Sequence, residues 1–236
     1  MEIRTRQPKA FQILDGTMLK VFAMISMVFD HVGDMFFPGV AWLRMVGRLA
    51  MPIFAFFIAE GYSHTHDKKK YLKRMGIFAL ISEIPFDLAF NGGIDLTHQN
   101  IMLTFFLSIT ALMLYDLIIE SKTGEKKGLR KVLGVFAVIG MAVVALLVKA
   151  DYTIFAVVSV FLFYVLRDKA YPIRQLVGVG FLALTRTMGY YVFTGVSLLP
   201  LLLYNGRKGK GLKWLFYAFY PGHLLILFVI KWLMGA

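Results

Sequence analysis

The sequence predicts an all-α, polytopic integral membrane protein, with about nine transmembrane helices around a polar intramembrane cavity. Three observations carry that expectation. Hydrophobic residues make up 58% of the 236, and the mean hydropathy is +0.69, beyond what a soluble domain of this size shows. Apolar runs near the roughly 20 residues that a bilayer crossing needs recur along the chain. Basic residues gather on alternate connections between those runs, the pattern of cytoplasmic loops.

The expected spans are, in order, residues 18–37, 41–62, 71–90, 100–119, 129–148, 152–166, 173–190, 196–204 and 212–233. The first follows a polar, basic segment, 1–17, that lacks a cleavage-site pattern, so it reads as an uncleaved signal-anchor. Pro52, Pro85 and Pro221 each withdraw a backbone donor inside an apolar run and predict kinks there. The sixth and eighth runs are short for a crossing, so each is expected to be tilted, broken or longer than its apolar core. Residues 1–236 read as one transmembrane domain without repeats or a soluble part.

The charge pattern sets the orientation. Arg4, Arg6, Lys9 and Lys20 precede or open the first span, and Lys68, Lys69, Lys70, Lys73 and Arg74 join the second to the third. Lys122, Lys126, Lys127, Arg130 and Lys131 follow the fourth, then come Arg167, Lys169 and Arg174, and finally Arg207, Lys208, Lys210 and Lys213. These are 21 of the 26 basic residues. The positive-inside rule then puts the N-terminus in the cytoplasm and the C-terminus outside. A net charge of +12 is explained by inner loops facing anionic lipid, and no nucleic-acid partner is expected. Cysteine is absent, which excludes a disulfide framework, a thiol nucleophile and a Cys-based metal site.

Ionisable groups inside a bilayer are costly and mark function by default. Asp30-His31 sit in the first span, Arg44, Arg48 and Glu60 in the second, Glu83 and Asp87 in the third, Asp116 in the fourth and His223 in the last. At about 1.5 Å of rise per residue, Asp30 lies roughly 18 Å from the inner entry and Arg48 roughly 10 Å from the outer one. Glu83 and His223 fall near the same level, so four helices bring unlike groups to one slab.

Adjacent Asp30 and His31 point about 100° apart and face different partners. His31 is either a general base or a histidine bonded between helices. Arg48 stands one turn before Pro52 and shares a face with Arg44. The pair can neutralise Asp30 and Glu83 or hold an anionic substrate group. Glu83 and Asp87 flank Pro85 on one face, where Arg48, Arg186 or an incoming amine can balance them. Gly222 and the Pro221 kink allow close approach to His223, the preferred catalytic candidate of the two histidines. Tyr204-Asn205-Gly206-Arg207-Lys208-Gly209-Lys210-Gly211 lacks Walker spacing; it is either a phosphate grip or ordinary inner-loop sequence. His64-Thr65-His66 is a weak metal signal, and no metal is expected.

Taken together these motifs resemble the TraX family. Leu19-Lys20 followed by Asp30-His31, Gly47-Arg48 with Pro52-Ile53-Phe54, and Glu60-Gly61-Tyr62 with Thr65 carry the resemblance. So do Asn100 with Thr104, Asp151-Tyr152, Tyr204-Asn205-Gly206, and Phe216-Tyr217 through Tyr220-Pro221 with His223. The similarity runs from about residue 17 to the C-terminus. It implies a membrane acetyltransferase drawing acetyl groups from cytoplasmic acetyl-CoA, as in N-terminal acetylation of conjugative pilin. The acceptor implied is a peptide amine or an envelope molecule. On this reading His223 or His31 takes the acceptor's proton, Asp30 orients the imidazole, Glu83 lies in the same acidic slab, and Arg48 or Tyr220 stabilises the oxyanion. Tyr204, Asn205, Arg207, Lys208, Lys210 and Tyr220 are the donor-binding candidates. A proton-coupled transporter or channel is the competing class, because intramembrane acids, bases and broken helices also build carriers. A membrane scaffold is a third.

Overall fold

A computed structural model describes residues 10–121, 126–169, 172–184 and 188–235. Arg4, Arg6, Lys9, Lys122 and Arg186, named above, lie outside the described residues. Eleven helical segments occur among the described residues: α1 Gly16–Met35, α2 Ala41–Gly47, α3 Ala50–His64, α4 Lys68–Asn91, α5 Ile101–Glu120, α6 Lys127–Leu147, α7 Thr153–Val165, α8 Ile173–Ala183, α9 Met188–Val196, α10 Leu198–Leu202 and α11 Lys213–Leu233. Two isolated bridges, Leu14 with Tyr204 and Gln99 with Ala150, are the only β pairings among them.

By length and composition, four stretches can cross a bilayer: Ala41–His64, Ile101–Glu120, Lys127–Leu147 and Lys213–Leu233. The chain is a helical membrane protein. Its helices match the nine expected runs only in part. The second run divides into α2 and α3, because Pro52 has no N–H for the Arg48 carbonyl and the chain tightens at Arg48-Leu49 into i→i−3 bonds (3.1 and 3.2 Å). The seventh run stops at Ala183, and Met188–Val196 forms a helix of its own. The eighth reduces to the five residues of α10, where Pro200 cannot donate to the Val196 carbonyl and Ser197 turns its hydroxyl onto Thr194 O at 2.6 Å. Pro85 and Pro221 lie inside α4 and α11 without ending them.

The core forms around α3, which packs against α1, α5, α7 and α8. Ile53, Phe56, Ala59 and Tyr62 are almost wholly buried there, in one cluster with Leu112, Val160 and Phe163. Polar ties also join the helices. Asp116 of α5 accepts from Tyr62 Oη (2.8 Å) and Tyr164 Oη (2.7 Å) and pairs with Lys68 Nζ (2.5 Å), joining α3, α7 and α4. Glu60 of α3 pairs with Arg174 of α8 at 2.6 Å, and Arg174 Nε also donates to the Phe163 carbonyl.

Candidate active site

The site grows from the α2–α3 break. Gly47, the last residue of α2, has no side chain, and Asp30 of α1 occupies the place where one would stand. Ser26, one turn earlier on α1, donates to the Val46 carbonyl at 2.6 Å, a second donor to the acceptor that Leu49 N reaches at the break. The first residue beyond α2 is Arg48, 9% exposed. Its Nη2 lies 3.4 Å from Asp30 Oδ1, its Nη1 donates to Tyr152 Oη at 3.1 Å, and its guanidinium covers the Tyr190 ring at 5.2 Å. Arg44 Nη1 reaches Asp30 Oδ1 at 3.3 Å and Asp34 Oδ1 at 3.0 Å. A planar fork held on three sides is a fixed donor rather than a mobile charge.

Tyr152 reaches Arg48 from a turn under strain. Lys149, Tyr152 and Thr153 all have positive φ (51°, 58° and 42°), a conformation that costs a non-glycine residue about 1–3 kcal/mol. The surroundings enforce it. Gln99 N donates to Lys149 O (3.1 Å), Asp151 N donates to Gln99 O (3.0 Å), and Thr104 Oγ1 donates to Asp151 O (2.6 Å). The turn thereby carries Asp151 and Tyr152 into the same cavity as Arg48.

Two imidazoles meet beside this arginine. His31 Nδ1 lies 2.8 Å from His223 Nε2, and His223 Nδ1 lies 2.8 Å from the Phe219 carbonyl. The rings are within 12° of parallel. Phe219 stacks on His223 with centroids 4.6 Å apart, and Phe90 meets His31 edge-on at 5.2 Å.

Two cavities converge on this centre. The first, about 400 Å³, is lined by Asp30, His31, Arg48, Tyr152 and Tyr220, with Asp34, Asp95 and Asp151 towards the 92–100 loop. Asp95 accepts from the Thr97 amide and hydroxyl (2.8 and 2.9 Å), which hold its carboxyl below the usual range and keep it anionic. The second, about 440 Å³, opens towards the Tyr204–Gly211 loop and is lined by Lys20, Arg74, Lys208 and Lys213, with Glu60 and Tyr204. Phe54, Met102, Phe105 and Phe216 line both. An acidic chamber and a basic chamber therefore abut at a collar of three phenylalanines and a methionine.

The sequence candidates separate accordingly. Asp30, His31, Arg48 and Tyr220 line the first cavity, with His223 directly behind His31. Asp30 holds the two arginines, and the partner of His31 is His223, so the expected orientation of an imidazole by Asp30 is replaced by a pairing of imidazoles. Glu83 stands apart from this group. Its carboxylate accepts the side-chain amide of Asn100, whose own Oδ1 caps α5. Asp87 accepts from Asp95 N at 3.1 Å.

Tyr204 and Lys208 line the second cavity, while backbone bonds strap the loop across the start of α1 and leave the side chains of Arg207 and Lys210 exposed. Asn205 Oδ1 accepts from Arg207 N, Arg207 O from Gly16 N, and Lys210 O from Thr17 Oγ1, each at 2.8 Å. Among the described residues no three His, Asp or Glu side chains gather as metal ligands. Sequence reasoning named Tyr152 and Lys20 only in the family resemblance and as loop charge, without a role in the site, counted Lys213 as loop charge and did not single out Tyr190. The Asp151-Tyr152 doublet was the available signal for the first of these.

Comparison with known proteins decides the family. The TraX protein family model matches residues 15–231. The chain belongs to the TraX family. A probable fimbrial assembly protein, FimC of serogroup H1, from Dichelobacter nodosus is 30% identical over 237 aligned residues, covering 89% of this chain and 92% of that protein. Protein RP591 of Rickettsia prowazekii is 34% identical over 90 residues, which is 38% of this chain and 33% of its own. No solved structure matches. The matched TraX region spans every residue of the paired cavities, from Gly16 of the second to Tyr220 of the first.

Proposed function

We propose that the protein is an acetyltransferase of the bacterial inner membrane, moving an acetyl group from cytoplasmic acetyl-CoA to an acceptor that enters from the other face. The observation that supports this reading is the contact of the basic and acidic cavities at one apolar collar, with the imidazole pair and Arg48 just beyond it. The positive-inside pattern puts the basic cavity on the cytoplasmic side and the C-terminus outside. Lys20, Arg74, Lys208 and Lys213 suit the phosphates of CoA. Lys20 and His31 are eleven residues apart on α1 and share a face, a rise of about 16 Å, which suits an extended pantetheine arm running from phosphate to thioester.

The chemistry needs no covalent enzyme intermediate. The acceptor nitrogen or oxygen attacks the thioester carbonyl carbon while an imidazole receives its proton. The new C–N or C–O bond forms, the C–S bond breaks, and the proton passes to the departing thiolate. Arg48, fixed by Asp30 and Tyr152 before substrate arrives, donates to the oxygen that becomes negative. Asp34, Asp95 and Asp151 at the outer opening favour an amine, which enters as its ammonium ion and sheds one proton to solvent before attack, over a neutral hydroxyl as acceptor. The fimbrial assembly role named for the Dichelobacter relative fits the N-terminal amine of an envelope peptide.

Purified protein given acetyl-CoA and an amine acceptor tests the reading through the rate of free thiol release. Release above the protein-free rate, lost in Arg48→Ala, is expected. Two cavities meeting at a constriction also suit a proton-coupled carrier. Absence of thiol release together with uptake by proteoliposomes would replace the acetyltransferase with that carrier.

A further inference from the structure

We propose that His31 is the catalytic base and that His223 is a positioning residue, fixing the tautomer of His31 and sharing its proton. The inference rests on the acetyltransferase reading for its chemistry but on hydrogen-bond logic for its geometry. A carbonyl oxygen only accepts, so the 2.8 Å contact of His223 Nδ1 with Phe219 O places a hydrogen on Nδ1. In the neutral ring Nε2 is then an acceptor. Its partner at 2.8 Å is His31 Nδ1, which must donate. That leaves the His31 lone pair on Nε2, and His31 is the member of the pair that lines the first cavity.

The surroundings hold this order in place. Phe219 stacks on His223 from its own helix, one turn before, and Phe90 of α4 meets His31 edge-on. Rings within 12° of parallel allow an in-plane N–H···N bond. Asp30 does not substitute for His223, because its carboxylate is engaged by Arg44 and Arg48.

During transfer, His31 Nε2 takes the proton of the attacking acceptor as the new bond to the carbonyl carbon forms. Its Nδ1 proton moves toward His223 Nε2, so the two rings share a single positive charge. When the C–S bond breaks, the Nδ1 proton returns and Nε2 delivers its proton to the thiolate sulfur. The enzyme is restored, and no proton is gained or lost overall.

The test has two arms. The first is the nitrogen NMR spectrum of ¹⁵N-histidine-labelled protein at neutral pH, assigned with His31→Gln and His223→Gln. His31 protonated on Nδ1 and bare on Nε2 is expected, and the opposite tautomer would overturn the proposal. This arm reads the resting protein, so it decides the pairing even if wild type releases no CoA and the acetyltransferase reading itself fails. The second arm compares rates. His31→Ala and His31→Gln should both lose about 10²–10⁴-fold in kcat. His223→Ala should lose about 10²-fold with KM for acetyl-CoA unchanged, and His223→Gln, whose Oε1 can accept the same Nδ1–H, should recover at least tenfold of that loss. Equal rates for the two His223 variants, at a melting temperature equal to wild type, would remove the positioning role. His223→Ala slower than His31→Ala would reverse the assignment.

Discussion

The α-carbon of Gly47 presses directly on Asp30: a β-carbon there would lie 2.2 Å from Asp30 Cβ and 2.7 Å from Asp30 Cα. Neither neighbour can yield, since one of the opposing atoms is backbone. Gly47→Ala should therefore cost about 1–3 kcal/mol of stability by overpacking. It should also move Asp30 away from Arg48, and a displacement near 1 Å at a reacting centre costs on the order of 10²-fold in rate. Thermal unfolding and CoA release on the same sample measure the two effects. Unchanged activity would disconnect Asp30 from the chemistry.

Arg48→Lys keeps the charge and loses the fork. Its contacts with Asp30 and Tyr152 come from separate terminal nitrogens, which a single ammonium cannot reproduce. A loss of about 10²–10³ in kcat is expected, the magnitude seen on removing one fixed oxyanion donor. Tyr152→Phe should cost roughly tenfold, as fits one hydrogen bond to a charged group.

The basic cavity should govern donor binding alone. Lys208→Ala with Lys213→Ala is expected to raise KM for acetyl-CoA while leaving kcat near wild type, the signature of an interaction equal in ground and transition states. Because these cations meet solvent, added salt should weaken wild-type binding in the same direction.

Glu60 and Arg174 form a pair whose side chains are 16% and 11% exposed. Glu60→Ala should destabilise the fold by about 3–5 kcal/mol, since Arg174 is left without its counter-charge. Adding Arg174→Met should recover much of that loss, and a double-mutant cycle of unfolding measures it.

At the start of α4, Asp67 accepts from the Lys70 amide at 2.8 Å, and that bond holds its carboxyl below the usual range. A depressed folded-state pKa contributes stability above the unfolded value, lost as the pH falls through the folded one. The protection of the Lys70 amide, its exchange relative to the intrinsic rate at each pH, should fall through that acid window, and in Asp67→Asn, which keeps the cap, it should stay flat.

Sequence alone determined that this is a helical membrane protein, which groups lie buried in it and which loops carry positive charge, because hydropathy and charge act residue by residue against a bilayer. It also placed Asp30, Arg48 and His223 at one depth, since helical rise is constant. The tertiary structure decided who touches whom. Rise says nothing of rotation, so Glu83, at the same height, turned to Asn100, while His31 turned to His223. Nor could periodicity show that Tyr152 would be brought inward by a turn with three strained residues, or that the backbone carbonyls of Arg207 and Lys210 would hold a loop against α1. The division of the second span at Arg48 was half legible. Pro52 marked where a hydrogen bond must fail, but a proline can kink or break a helix, and only the fit of Asp30 against Gly47 and of Ser26 against Val46 made it a break.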